Sequence, residues 1–146
     1  MKNQSVGFYA TILVLLLTVV SFVLYNQNAA NAYYNDSNTI VVYVSIAAIA
    51  LAVVTLILGQ FSESNLSVGK IVAVLRVALP ALIMLAGLLF VGDRVYSYAI
   101  IFGSDLESGN VLAQEAATQS VIAVVCYVVT ALIATVSAFF AMKKEK

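Results

Sequence analysis

The sequence predicts an all-α integral membrane protein in which four transmembrane helices form an up-down bundle within a single domain, residues 1–146. Of the 146 residues, 63% are hydrophobic and only 10% are charged, whereas a soluble domain carries about 25% charged residues. Apolar runs of about 20 residues are long enough to cross a ~30 Å hydrocarbon core as helices, at 1.5 Å per residue. Four such runs are present, at Gly7–Tyr25 (7–25), Ile40–Leu58 (40–58), Ile71–Val91 (71–91) and Ser120–Met142 (120–142).

The first run also has some features of a secretory signal. Lys2 precedes it, and Ala30-Asn31-Ala32 resembles an A-x-A cleavage site. The apolar part of a signal usually has about 7–15 residues, and Gly7–Tyr25 is longer than that. We therefore expect a retained first helix.

Charges between the runs predict the orientation of the chain. The side that holds both termini and the connection Gln60–Lys70 has six bases and two acids, whereas the other side has one base and five acids. Because basic loops stay in the cytoplasm, both termini are expected there, in a multi-pass protein of the cell membrane. The loop 26–39 and the segment 92–110 then face outward. An aromatic belt is expected at the outer boundary, formed by Tyr25, Tyr33, Tyr34, Tyr43, Tyr96 and Tyr98.

Small residues predict which helices pack closely. Membrane helices associate through close contact of small residues and through polar contacts, because burial from lipid gives little driving force. We expect the second and fourth helices to form the interior of the bundle. The small residues are Ser45, Ala48 and Ala52 in the second run, and Thr130, Ala134 and Ala138 in the fourth.

The third run contains two unusual residues. Pro80 removes a backbone hydrogen bond and is expected to kink the helix. Arg76 is an intramembrane charge, which is by default a candidate functional residue. It lies only about 7.5 Å from the start of the run, so that snorkelling to lipid phosphates is the favoured interpretation. A specific partner, such as Glu63 or another subunit, is the alternative.

The segment between the third and fourth runs is predicted to be a helical extracellular hairpin. Ser104 and Glu107 have the spacing of a capping box, and Asn110 is a second good helix cap. Because Val111–Gln119 contains helix formers and no glycine or proline, a helix is expected over Val111–Met142. On the other side, the third helix is expected to continue, loosened near Gly92.

This outer segment is the candidate interaction site. Its apolar and aromatic residues are more than the first loop is expected to cover, and exposed apolar patches of several hundred Å² usually mark contacts. The candidate residues are Tyr96, Tyr98, Ile100, Ile101 and Phe102. As an alternative, Asp105 and Glu107 would form a cation-attracting ring at an acidic outer mouth in an oligomer. The regular pattern of a calcium loop is absent there.

The sequence favours a protein without catalysis. It has no histidine and a single cysteine, Cys126, which excludes histidine-based catalysis and paired-thiol chemistry. We expect no enzyme, cofactor or metal site. The expected function is that of a subunit, scaffold or accessory of a larger membrane assembly, with transport machinery as a plausible host. The alternative is a homo-oligomeric channel. Expected partners are membrane lipid and either a second copy or another membrane protein, with no nucleic acid.

Overall fold

Four helices account for most of the described residues. The computed structural model describes residues 5–62 and 66–142, and all four helices in it are long and apolar enough to cross a membrane. The predicted all-helical fold and its four helices of membrane-spanning length are therefore confirmed. The helices are α1 (Val6–Ala29), α2 (Thr39–Gly59), α3 (Leu66–Gly103) and α4 (Val111–Ser137), with a short 3-10 helix at Asp105–Glu107 before α4.

The helices form an up-down bundle in which each packs on its neighbours in the sequence and α1 also packs on α4. At one end, the backbone N–H groups of Ser5 and Gly7 donate to the carbonyls of Met142 and Ala141. A Cβ atom on Gly7 would overlap the carbonyl oxygens of Phe140 and Ala141. Glycine therefore allows the start of α1 to lie directly against the segment that follows α4.

The buried faces of the helices follow a seven-residue repeat that the sequence analysis missed. Buried positions recur in alternating steps of three and four residues, which is the spacing of a coiled-coil seam. In α1 they are Gly7, Thr11, Val14, Thr18, Ser21, Tyr25 and Asn28. In α4 the seam runs through Ala113, Ala116, Ser120, Ala123, Tyr127, Thr130, Ala134 and Ser137.

These seams consist mainly of small and hydroxyl-bearing residues. The Thr11 and Thr18 hydroxyls donate to carbonyls four residues earlier on α1, so these polar groups are satisfied within their own helix. The hydroxyls of Ser45 on α2 and Tyr127 on α4 are 2.8 Å apart and link the two helices across the bundle. This composition matches the way helices associate in lipid, through close packing and polar contacts.

The predicted packing residues are buried except for Ala138, which is half-buried, and the interior is shared more evenly than expected. Ser45, Ala48 and Ala52 on α2 are fully buried, as are Thr130 and Ala134 on α4. However, α1 and α3 also contribute complete buried faces. All four helices therefore form the interior, and not α2 and α4 more than the others, because each helix packs on two neighbours.

α3 and α4 differ from their predicted ranges. α3 has 38 residues and continues through both Pro80 and Gly92, so that the predicted loosening at Gly92 does not occur. α4 begins at Val111, where the Asn110 side chain accepts from Ala113 N–H, and continues unbroken past Gln119 as predicted. It ends at Ser137 instead of Met142, and the carbonyls of Phe140, Ala141 and Met142 accept hydrogen bonds from Arg76, Gly7 and Ser5.

Candidate functional site

The five predicted interaction residues do not form one exposed surface. Tyr96 and Phe102 are 77% and 64% exposed. Ile101, in contrast, is buried in a small apolar cluster with Ala113 and Ala117. Ile100 is half-buried, and Tyr98 packs against the cluster while its hydroxyl lies 2.8 Å from that of Ser120 on α4. Ile101 and Tyr98 therefore hold α3 and α4 together, and only Tyr96 and Phe102 remain available to a partner.

Tyr33 from the α1–α2 loop also packs against this cluster. The first loop and another subunit are the two possible covers for the outer faces of the hairpin, and the structure places Tyr33 of the first loop there. Ala116 is fully buried within the chain. Val111, however, remains exposed.

The two acidic residues of the predicted outer mouth have different environments. Asp105 is exposed. Glu107 is half-buried, and its carboxylate accepts hydrogen bonds from Tyr33 Oη at 3.2 Å and from Asn110 Nδ2 at 2.6 Å. Partial burial and the Glu107 carboxylate raise the pKa of Tyr33 above its usual value of 10. Glu107 thus ties the first loop to the cap of α4. The predicted capping box forms only in part: Ser104 accepts from Leu106 N–H.

The end of the hairpin exposes apolar side chains that the sequence analysis did not single out. Leu106, in the 3-10 helix, is 84% exposed, and Val111 and Leu112 at the start of α4 are also exposed. These three residues and Phe102, all exposed near the end of the hairpin, are called the apolar tip, defined as Phe102, Leu106, Val111 and Leu112. In the sequence, the position of the apolar Leu106 between two acidic residues, Asp105 and Glu107, could have indicated that it is exposed.

A buried arginine lies at the base of the hairpin. Arg94 is only 3% exposed, and sequence reasoning had counted it simply as the one outward base. Its Nε donates to Asn28 Oδ1 at 3.2 Å, and Nη2 donates to the Asp36 carbonyl at 3.3 Å. The guanidinium lies over the Tyr34 ring at 3.9 Å from its centroid. No carboxylate in the described part of the chain lies within ion-pair distance of Arg94.

Asn28 connects this arginine to α4. It is fully buried, and its Nδ2 donates to the Ala116 carbonyl at 2.8 Å. One side chain therefore holds α1, α3 and α4 together. Its position in the seven-residue repeat of α1 was the signal that could have identified it as buried.

A second polar group joins α1, α2 and α3 nearby. The Tyr25 hydroxyl accepts from Asn38 N–H at 2.8 Å and contacts the Asn38 carbonyl at 3.1 Å. Asn38 Nδ2 donates to Asp93 Oδ1 at 2.8 Å, and the Tyr25 ring packs edge-on against Phe90 with centroids 5.0 Å apart. Tyr25 is fully buried, so that it belongs to the packed interior instead of the predicted aromatic belt.

Arg76 is placed differently from the favoured sequence interpretation. Its side chain is 8% exposed, and Nη1 and Nη2 donate to the carbonyls of Phe140 and Ser137. The guanidinium therefore binds the C-terminal carbonyls of α4 and is not extended toward lipid phosphates, as snorkelling would require. The Ser137 carbonyl also accepts from Phe140 N–H in the turn that follows α4, and carbonyls at the end of a helix carry partial negative charge. Glu63, the alternative partner, lies outside the described residues.

Metal-ligating and thiol side chains are few in the described part of the chain. Within residues 5–62 and 66–142, no group of three or more His, Cys, Asp and Glu side chains could hold a metal ion. Cys126 is half-buried, and its Sγ accepts a hydrogen bond from Ser21 Oγ at 3.1 Å.

Comparisons with protein-family models, with curated proteins and with solved structures find no match for this chain.

Proposed function

We propose that this chain is a four-span protein of the cell membrane that acts without catalysis, as a subunit, scaffold or accessory of a larger membrane assembly. Transport machinery is one candidate host. In this proposal both termini are cytoplasmic and the hairpin is extracellular. The supporting observations are the four apolar helices and the excess of bases on the side of the termini.

The observation that carries the proposal is the exposed apolar tip at the end of the hairpin that α3 and α4 form. α3 has 38 residues and is therefore about 57 Å long, well beyond the ~30 Å needed to cross the hydrocarbon core. Exposed apolar residues on the spans need no explanation, because lipid covers them. Residues of the tip lie beyond the predicted span in water, where large apolar patches usually mark contacts.

The tip is also held in place before any partner binds. Glu107 bonds Tyr33 and Asn110, and Ile101 packs between the two arms of the hairpin. A fixed surface loses less conformational entropy on binding than a mobile loop does. This favours a contact role for the tip.

The test compares two substitutions at exposed leucines. Leu106→Asp places a charge on the apolar tip, whereas Leu66→Asp makes the same change at the start of α3, where Leu66 is also exposed. We expect Leu106→Asp to release the chain from its complex. The measurement is the particle mass after native membranes are solubilised in mild detergent. Leu66→Asp should leave the complex intact, and both variants should keep the thermal stability of the wild type.

A wild-type chain that is a monomer in mild detergent, and that captures no neighbour on crosslinking in native membranes, would contradict the proposal. Substitution of Ile101 is unsuitable as a test, because Ile101 packs inside the hairpin and its replacement would damage the fold.

The homo-oligomeric channel has less support from the described residues. Glu107 already accepts two hydrogen bonds within the chain, which leaves Asp105 as the exposed acid of the pair. Fully buried side chains, Thr11 and Tyr127 among them, fill the seams between the four helices. A channel would therefore have to form between copies, and ion conductance that is reduced by Asp105→Asn would be its signature.

A further inference from the structure

A groove runs along the outer side of α3 in the half of the bundle near the termini. Between α3 and α4 it has a volume of about 440 Å³, within the range of about 300–1,000 Å³ that small-molecule sites occupy. A second hollow of about 540 Å³ on the same side of α3 shares Val77 and Ala81 with it. The first hollow is lined by Val77, Pro80, Ala81, Met84, Ala131, Leu132, Thr135, Ala138 and Phe139.

The lining is suited to hydrocarbon. Thr135 is the one residue among those nine with a polar side chain, and its hydroxyl donates to the Ala131 carbonyl at 2.8 Å. The α3 residues of the two hollows extend from Ala73 to Met84, which is about 17 Å along the helix. This length is close to one leaflet of a ~30 Å hydrocarbon core.

Positive charge lies at the end of the groove nearest the start of α3. Lys70 is exposed, and it precedes Val74, Val77 and Ala81 by four, seven and eleven residues, so that all four share one face of the helix. Lys70 lies about 5 Å beyond Ala73 along the helix axis. It is therefore at the level expected for a lipid headgroup.

Arg76 adds a second cation at this end. Its guanidinium contacts the Ser137 and Phe140 carbonyls, which flank the wall residues Ala138 and Phe139. The Arg76 side chain is 8% exposed, and its buried Nε has no hydrogen-bond partner. No carboxylate in the described ranges lies within ion-pair distance of it. The two carbonyls compensate this buried charge only with partial charges, and an anion nearby would lower its cost further.

We propose that the groove binds one acyl chain of an anionic phospholipid, with the phosphate at Lys70 and within the electrostatic field of Arg76. Basic pockets at the headgroup level of membrane helices recognise anionic lipids in this way. A partner helix without an acidic residue at this level would fill the groove but leave both cations without an anion. A second copy would bring the same two cations together, and juxtaposed like charges are unfavourable.

The experiment measures lipid binding to the purified, delipidated protein by native mass spectrometry. The probes are phosphatidylglycerol and phosphatidylcholine with identical acyl chains. We expect the wild type to bind one phosphatidylglycerol in preference to phosphatidylcholine. Lys70→Gln should weaken phosphatidylglycerol binding about fivefold, the effect of one basic residue near a membrane surface, without changing phosphatidylcholine binding. Lys70→Arg should restore the preference.

A second pair of variants tests the groove itself. Ala81→Leu fills the part shared by the two hollows and should weaken binding of both lipids at least fivefold. Ala50→Leu makes the same change at an exposed position of α2 and should have no effect. Equal lipid binding by the two leucine variants would overturn the proposal. So would equal weakening of both lipids by Lys70→Gln. A dimer or partner complex that Ala81→Leu dissociates without affecting lipid binding would show that the groove instead accommodates a helix.

Discussion

Replacing Asn28 with leucine should destabilise the protein through the buried arginine next to it. Asn28 Oδ1 accepts from Arg94 Nε, and Asn28 Nδ2 donates to the Ala116 carbonyl. Leucine has a similar volume but can form neither bond. Arg94 would then keep its contact with the Asp36 carbonyl and its position over the Tyr34 ring, while its Nε would lose its acceptor.

The size of the loss follows from the two bonds. A hydrogen bond to a charged group contributes about 1.5–3 kcal/mol. The bond to Ala116 contributes less, about 0.6 kcal/mol on average between membrane helices; its carbonyl, inside α4, also takes part in the helix's own hydrogen bonding. Asn28→Leu should therefore lower the free energy of unfolding by about 3 kcal/mol. Asn28→Asp should cost less, because the new carboxylate would pair with Arg94.

The measurement is denaturant-induced unfolding in mixed micelles, followed by circular dichroism. Asn26→Leu is the matched control, since Asn26 Nδ2 donates to the Phe22 carbonyl on the same helix. This substitution should lower the free energy of unfolding by less than about 1 kcal/mol. A double-mutant cycle with Arg94→Met isolates the pair. We expect Asn28→Leu to cost at least about 1 kcal/mol less in the Arg94→Met background.

Two results would refute this reasoning. If Asn28→Leu and Asn26→Leu destabilise the protein equally, the hydrogen bonds between helices contribute no more to stability than the bond within α1 does. If the effects of Asn28→Leu and Arg94→Met add without coupling, then the loss comes from packing and not from the unpaired guanidinium.

Three further predictions concern topology, helix continuity and pH. In a background without the native cysteine, Ser108→Cys should be labelled from outside intact cells and Lys70→Cys should not; the reverse pattern would invert the proposed orientation. Ala116→Pro should lower the free energy of unfolding by about 3 kcal/mol or more, because Ala116 lies inside α4; an unchanged unfolding transition would contradict this. Since the pKa of Tyr33 is raised by partial burial and by Glu107, its contribution to stability should be complete below pH 10 and lost as the pH rises through the raised pKa. Wild type should therefore lose more stability than Tyr33→Phe in alkaline unfolding measurements, and equal losses would exclude this contribution.

The positions of the four helices could be predicted because they depend on local composition. A run of about 20 apolar residues is visible without knowledge of any neighbour, and the caps at Ser104 and Asn110 are local patterns as well. The continuation of α3 beyond Val91 was also predicted, although not its continuity at Gly92. That glycine is exposed, with no other group near its missing Cβ, so it gives the helix no reason to break there.

The environment of individual polar residues could not be predicted from composition. The hydrogen bonds that place these residues join positions 66 to 88 residues apart in the sequence, and such pairs leave no local pattern. They are the bonds of Arg94 to Asn28, Asn28 to Ala116, and Tyr33 to Glu107. The seven-residue repeat is a different case. The spacing of Thr11, Thr18 and Ser21 in the sequence already follows this repeat. Hydroxyl-bearing residues, however, do not stand out in an apolar run when only hydropathy is considered.

The two arginines of the chain give a physical reason for the position of α3 in the proposed membrane placement. Both are buried, and both donate to backbone carbonyls instead of carboxylates. Arg76 and Arg94 are 18 residues apart on one continuous helix, which is about 27 Å and close to the ~30 Å thickness of the hydrocarbon core. A charge is costly at the centre of a bilayer and much less costly at its boundary. Each arginine can therefore satisfy carbonyls at one boundary, and together they would resist sliding of α3 along the membrane normal. The part of α3 beyond Arg94, with Tyr96 and the apolar tip, is then fixed above the membrane surface.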